Sequence, residues 1–196
     1  MKNVCLVYKA FDVNFHRPIS ITDKDRKDWG SSVSFVGSFE RDRAEKMFYL
    51  AENGIRVRVW GWYWNRFWKK HPNLILENRP VYNDDYIKVI NSSDINLNFL
   101  RKAHRDKHTA RSVEIPACEA FMLTERTDEH LELFEEGKEA EFFDSAGELL
   151  SKVRYYLENP DERNAIAEAG RRRCLTSLYS HHGRLKTMLD YLSNQS

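Results

Sequence analysis

Three cysteines in 196 residues are too few and too scattered to staple a fold. Cys5, Cys118 and Cys174 contain no C-x-x-C pair and are odd in number. Neither a disulfide framework nor a zinc knuckle is therefore expected, and a reducing cytosol fits best. Long apolar runs are also missing. Met1–Val13 holds one four-residue apolar run, broken by Lys9 and Asp12, which is too short for a signal-peptide core. Nothing approaches the roughly 18 consecutive apolar residues of a membrane helix. An excess of one charge is absent as well: 31 basic and 30 acidic residues give a formal net charge of +1. That balance argues against a surface committed as a whole to nucleic acid. No internal repeat and no low-complexity segment occur. The expectation is a soluble, cytoplasmic protein with no nucleic-acid partner and no membrane span.

What is present suits a buried core, with 41% hydrophobic and 31% charged residues. The chain alternates between two periodicities. Short apolar or alternating runs at Val33–Gly37, Ile55–Trp60, Asn73–Leu76, Ile95–Leu100, Phe121–Thr124 and Glu141–Phe143 predict strands. Between them, Glu40–Asn53 carries Ala44, Met47, Phe48 and Ala51 at helical spacing and ends on Asn53-Gly54. Asp84–Asn91 predicts a second helix, and Pro116–Ala120 a short one that opens on its proline. Three more helices follow at Ala146–Glu158, Pro160–Leu175 and Tyr179–Leu192, the middle one introduced by Asn159-Pro160. Strands alternating with helices imply an α/β domain, a Rossmann-like doubly wound parallel sheet covered on both faces, with C-terminal helices. Ligands in such folds sit beyond the carboxyl ends of the strands.

Charge and aromatics are unevenly spread over this framework. Arg101–Arg111 holds five basic residues against one acid, and directly follows the Ile95–Leu100 run. A positive loop at a carboxyl end suits a diphosphate, although a run of charge also fits a solvated loop. Glu125–Glu148 reverses the balance, with ten acids against two bases, and reads as an outer face. Trp60–His71 holds four of the five tryptophans. Their faces suit stacking on bases or sugar rings, docking of a partner, or packing within the domain, and the spacing does not choose among these. His104 and His108 are four apart, but Arg105 stands where a zinc-hydrolase motif needs its glutamate, so no metal site is expected.

The segment Thr109–Glu125, TARSVEIPACEAFMLTE, is the most specific. Together with VSFVGSFERDRAEKMFYLAENGIRVRVWG, INSSDINLNFLR and LFEEGKEAEFFDSAGELLSKVRYYLENPDERNAIAEAGRRRCL, in that order, it resembles the donor domain of the group-one glycosyltransferases, in their CgeB-like (spore maturation) branch. The resemblance runs from about Val33 to Leu189. It implies the C-terminal, nucleotide-sugar-binding half of a GT-B enzyme that needs no bound metal and no cofactor besides its substrate, a nucleoside diphosphate sugar.

The retaining members carry two glutamates eight positions apart, the second within a segment like LPxxEA. IPACEA places that second glutamate, an acceptor for ribose hydroxyls, on Glu119, and the first falls on Arg111, which suits phosphate instead. The family's phosphate-binding Arg and Lys fall on Ser38 and Arg43. The resemblance thus implies nucleotide-sugar binding by Gly37, Ser38, Arg43, Arg111, Glu114 and Glu119, with Lys102, Arg105 and His108 as further phosphate candidates on the basic loop. It nominates no catalytic residue.

The expected organisation is an extension or linker over residues 1–32, the nucleotide-sugar-binding domain over 33–178, and a crossover-type helix over 179–196. Residues 1–32 are too few for the second domain of a GT-B enzyme. An acceptor-domain subunit or a homodimer is therefore the expected partner, with an acceptor the sequence does not identify. Two functions fit: a glycosyltransferase, or a non-catalytic nucleotide-sugar-binding module.

Overall fold

The computed structural model describes residues 7–193, so Cys5 and all but the last residue of the apolar run near the N-terminus lie outside the described residues. Six strands form one parallel sheet: β1 (Val33–Val36), β2 (Val57–Trp60), β3 (Leu74–Leu76), β4 (Ile95–Asn98), β5 (Met122–Glu125) and β6 (Glu141–Phe143). Their order is β3-β2-β1-β4-β5-β6, a doubly wound Rossmann-like arrangement. The register pairs Val33 with both Val57 and Ile95, which puts β1 and β4 side by side at the centre.

Successive residues on a strand point to opposite faces, and both faces are buried. One face carries Val33, Phe35, Val59, Leu97, Leu123 and Phe143. Against it packs α2 (Arg41–Glu52), through Ala44, Met47, Leu50 and Ala51, together with α6 (Ala146–Glu158), through Leu149, Leu150 and Val153. The other face carries Val36, Trp60, Met122 and Phe142, covered by α3 (Asn83–Ser92) and α4 (Arg111–Ala117). The helix α7 (Pro160–Thr176) lies against α4 and contributes Cys174 to the same cluster.

The alternation of Asn and Leu in β4 does not mark a solvent face. Asn96 and Asn98 are buried among polar partners: Ser34 Oγ donates to Asn96 Oδ1 at 2.9 Å, and Asn96 Nδ2 donates to the Ile90 carbonyl at 3.1 Å. Burial without such partners would cost roughly 1–3 kcal/mol per group.

Two short helices escape the periodicity. The first, α1 (Asp23–Trp29), is held by a capping box between Thr22 and Asp25. The second, α5 (Asp128–Leu133), starts where Thr127 Oγ1 accepts from the His130 amide. The expected short helix at Pro116–Ala120 is also displaced. It runs instead as α4, and Pro116 occupies its last turn.

The described part of residues 1–32 packs on the domain. Phe11 is fully buried. Its amide donates to the Tyr179 carbonyl at 3.3 Å, and its carbonyl accepts from His181 at 3.0 Å. Farther along, the Ile19 amide donates to Asn91 on α3. The final helix α8 (His181–Ser193) leaves Leu185, Met188 and Leu189 about half exposed. No helix among the described residues is long and apolar enough to cross a membrane.

Candidate functional site

β1 and β4 are neighbours whose chains leave in opposite directions, one toward β2 and the other toward β5. A crevice opens beyond such a pair, because the two loops part there. A groove of about 250 Å³ lies at this point. Val36 forms its floor. Val81, Tyr82 and Tyr86 supply one wall, Arg111 and Glu114 of α4 the other, and Phe15 and His16 close it from the N-terminal segment.

Glu114 holds one carboxylate oxygen ready in this groove. Its Oε2 accepts from the buried Tyr86 hydroxyl at 2.9 Å, while Oε1 stands 3.7 Å from His16 Nε2. Burial lowers the pKa of His16, and its Nδ1 accepts from the Asp12 amide, so the neutral ring presents an N–H toward Glu114. Arg111 is half-buried on the same wall and has no hydrogen bond or ion pair among the described residues. A cation with no hydrogen bond or ion pair among the described residues, next to a carboxylate whose Oε1 lies beyond hydrogen-bond range of His16, can bind a ligand that carries both an anion and hydroxyl groups.

Arg43 is also at the switch point, but it is buried and its donors are engaged. It donates to the Ser38 carbonyl at 3.3 Å and to the Leu100 carbonyl at 3.1 Å, and pairs with Glu40 at 3.0 Å. It thus ties the loop after β1 to the loop after β4. Burial lowers its pKa, and the neighbouring charge of Arg111 adds to the effect. Gly37 is equally constrained. Its carbonyl accepts from the buried Trp64 indole at 2.8 Å, and a Cβ on Gly61 (φ +148) would fall 2.0 Å from the same oxygen.

A buried network fixes the start of α4. Ser112 Oγ accepts from the Thr109 amide (3.0 Å) and from Asn98 Nδ2 (3.1 Å), and donates to His130 Nε2 (2.8 Å). Thr109 Oγ1 donates to Asn98 Oδ1, and His130 Nδ1 donates to the Glu125 carbonyl at 2.7 Å. Every polar atom in this set has a partner only while His130 is neutral. Burial pushes its pKa down to about 4. The network explains why the helix begins at Arg111 and not at Pro116, and so why Arg111 and Glu114 face the groove.

The structure therefore brings Gly37, Ser38, Arg43, Arg111 and Glu114 together and separates Glu119 from them. Glu119 lies beyond the end of α4 in a left-handed conformation (φ 57), before β5 begins. That is the amino edge of the sheet, beside a polar cavity of about 310 Å³ with Arg26, Asp94 and Arg163. Its carboxylate stands 3.6 Å from Arg171. The displacement follows from the helix boundary: with α4 ending at Ala117, Glu119 cannot sit in a first turn.

The basic loop is also accounted for. Lys102 pairs with Asp42 at 2.8 Å, and Arg105 is exposed at φ 54 where a 3-10 turn ends. His108 is clamped between the Lys9 amide (3.0 Å) and Glu129 (2.5 Å). Among the described residues no group of three or more His, Cys, Asp or Glu side chains is placed to hold a metal ion. Tyr82, Tyr86, Phe15, His16 and His130 were not singled out by sequence. They come from three separate stretches of chain, and no motif links them.

Comparisons with known proteins bear on this site. A family model described as glycosyl transferase-like matches residues 41–190. No curated protein matches the chain by sequence. Among solved structures, the C-terminal domain of a group 1 family glycosyl transferase, LpcC from Francisella tularensis, superposes with a TM-score of 0.66 at 13% identity, over 87% of this chain and 99% of that one. Anabaena Alr3699/HepE in complex with UDP-glucose gives a TM-score of 0.74 at 12% identity, over 96% of this chain and 57% of that one. The sucrose-phosphate synthase of Thermosynechococcus elongatus gives 0.72 at 12% identity, over 98% and 53%. The chain thus spans nearly all of the Francisella domain and a little over half of the two longer proteins, and at these identities the likeness is one of fold.

Proposed function

The chain belongs to the glycosyl transferase-like family, and from that premise we propose that it is the donor-binding half of a GT-B glycosyltransferase of the CgeB-like branch. The groove at the switch point takes the nucleoside diphosphate part of a nucleotide sugar. The observation that carries this reading is the convergence of Arg111, which has no hydrogen bond or ion pair among the described residues, and Glu114, whose Oε1 has only His16 near it at 3.7 Å, on one groove between β1 and β4.

In this reading Glu114 accepts from ribose hydroxyls and Arg111 meets the diphosphate. Arg43 holds the two loops in register behind them. The family's two glutamates then fall five residues earlier than IPACEA suggests. The second is Glu114 and the first is Asp106, a carboxylate eight positions before it. Asp106 borders a second cavity at the carboxyl edge, with Lys46, Lys102 and Glu125, where the transferred sugar would lie. As the donor bond to the sugar breaks, negative charge grows on the diphosphate. A fixed cation such as Arg111 lowers the energy of that state without reorganising.

Most of the acceptor site belongs to a second domain, supplied by another subunit or by a longer chain. The half-exposed Leu185, Met188 and Leu189 on α8 accord with such a partner. The buried, unpaired Cys118 and Cys174 accord with a reducing compartment such as the cytosol.

The test is a titration with UDP, GDP and ADP, followed by an assay for hydrolysis of the corresponding glucose donors. Binding of one diphosphate, weakened by Arg111→Ala and by Glu114→Gln, supports the reading. Absence of binding at millimolar nucleotide would end it. Hydrolysis of a donor separates an enzyme from a non-catalytic binding module.

A further inference from the structure

The tryptophan-rich segment divides into two sets. Trp60 and Trp64 are fully buried, whereas Trp62 is 50% exposed and Trp68 is 75% exposed. Trp62 and its neighbour Tyr63, 56% exposed, sit on the loop that leaves β2 at the carboxyl edge. The loop is held rigidly. Its carbonyl at Trp62 accepts from the Phe39 amide at 2.9 Å, tying it to the loop after β1. Gly61 packs directly on Gly37, and Trp64 anchors the next turn. The Trp62 indole donates to the Tyr82 hydroxyl at 3.2 Å. The Trp62 and Tyr63 rings are 6.5 Å apart and tilted by 43°. Arg66 stacks on Tyr63 at 4.6 Å. Tyr63 has φ 67, a costly conformation for an aromatic residue, and it turns the ring outward instead of into the core.

These three exposed aromatics adjoin as an aromatic patch, a plate of mutually tilted rings, and Tyr82 also lines the nucleotide groove. We propose that the Trp62–Tyr63–Tyr82 plate is a carbohydrate subsite that stacks a pyranose ring of the acceptor beside the bound donor. The inference rests on the donor reading of the groove for the word acceptor, and on the plate's own chemistry for the word carbohydrate. A pyranose has C–H faces that lie on aromatic rings and an equatorial belt of hydroxyls. The plate offers ring faces with phenolic oxygens and the Arg66 guanidinium at their margins. A protein partner would need roughly 800 Å² on this side, far more than three partly exposed side chains present. A nucleobase is the other flat ligand, and the experiment discriminates against it.

The full chain, with its tryptophan indoles labelled with nitrogen-15, is titrated with UDP and then, UDP present, with short oligomers of glucose, galactose, mannose and N-acetylglucosamine. At least one sugar series should shift the Trp62 indole resonance saturably at millimolar concentration, leaving those of Trp60 and Trp64 in place. Trp62→Ala and Tyr63→Gly should each weaken that sugar by roughly tenfold or more. Glycine at position 63 accepts the positive φ, so this variant removes the ring without straining the fold. Trp62→Phe should restore most of the affinity, and Trp68→Ala should leave it unchanged. UDP affinity should stay within about twofold in all four variants.

Absence of any sugar-induced shift at Trp62 overturns the proposal. So does a loss of UDP affinity in Trp62→Ala, which would make the plate a base-stacking surface. Failure of UDP to bind while a sugar still shifts Trp62 would refute the donor reading and leave the carbohydrate subsite standing.

Discussion

Replacing Arg111 by alanine removes the one groove cation without a described partner and disturbs little else. The side chain makes no hydrogen bond or ion pair among the described residues, and it lies near the buried Arg43. Its loss should therefore leave stability within about 0.5 kcal/mol. Its contribution to a diphosphate is different. One charge-assisted hydrogen bond in a half-buried groove contributes roughly 2 kcal/mol, which corresponds to about a 30-fold change in Kd. The effect must follow the phosphates. Uridine, which has none, should bind Arg111→Ala as it binds the wild type. Arg111→Lys should fall between, because lysine keeps the charge and loses the planar fork. Paired calorimetric titrations of UDP and uridine at fixed ionic strength measure both quantities. The salt dependence of UDP binding should also flatten in the variant. Equal weakening of UDP and uridine, or an unchanged UDP affinity, would refute the assignment of Arg111 to the diphosphate.

Further outcomes follow from other parts of the structure. Glu119→Ala should change neither UDP affinity nor, beyond about 0.5 kcal/mol, stability, because it loses only an exposed pairing with Arg171; weakened UDP binding would return Glu119 to the site. Burial lowers the pKa of His130 to about 4 in the folded state, against about 6.5 for an unperturbed histidine, so it is neutral there. The unfolded chain therefore binds the proton first as pH falls, so stability is full above about pH 6.5 and declines by about 3 kcal/mol toward pH 4. Unfolding curves of His130→Gln should lack that part of the decline, even though the variant starts less stable. Phe11→Ala should cost roughly 3–5 kcal/mol in denaturant unfolding, as for any fully buried aromatic. A loss under about 1 kcal/mol would mean that the N-terminal segment is only loosely attached.

The strands were legible because each is a short run bounded by a helix, and six such runs in alternation have few parallel solutions. Val33–Val36 and Glu141–Phe143 fall where the pattern puts them. The face of β4 was less readable, since Asn96 and Asn98 look solvent-exposed until their partners on α3 and α4 are seen. The start of α4 was not legible. A proline ordinarily opens a helix, but here Ser112, Asn98 and His130 hold an earlier start, and His130 is 18 residues from Ser112 in sequence. In the proposed reading that local boundary moves the ribose-binding carboxylate by more than one helical turn, from Glu119 to Glu114. The sequence suggests Arg43 as a phosphate ligand, and only its burial shows that its guanidinium is engaged by the Ser38 and Leu100 carbonyls.

In the proposed reading a nucleoside diphosphate binds at the carboxyl edge between β1 and β4. Backbone amide shifts of the full chain during titration with UDP-glucose test it most directly. Saturable shifts are expected for Gly37–Phe39, Val81–Tyr82 and Thr109–Glu114, with Asp94, Glu119 and Arg163 at the amino edge unmoved. Shifts clustered on that amino edge, or none at millimolar UDP-glucose, would contradict it.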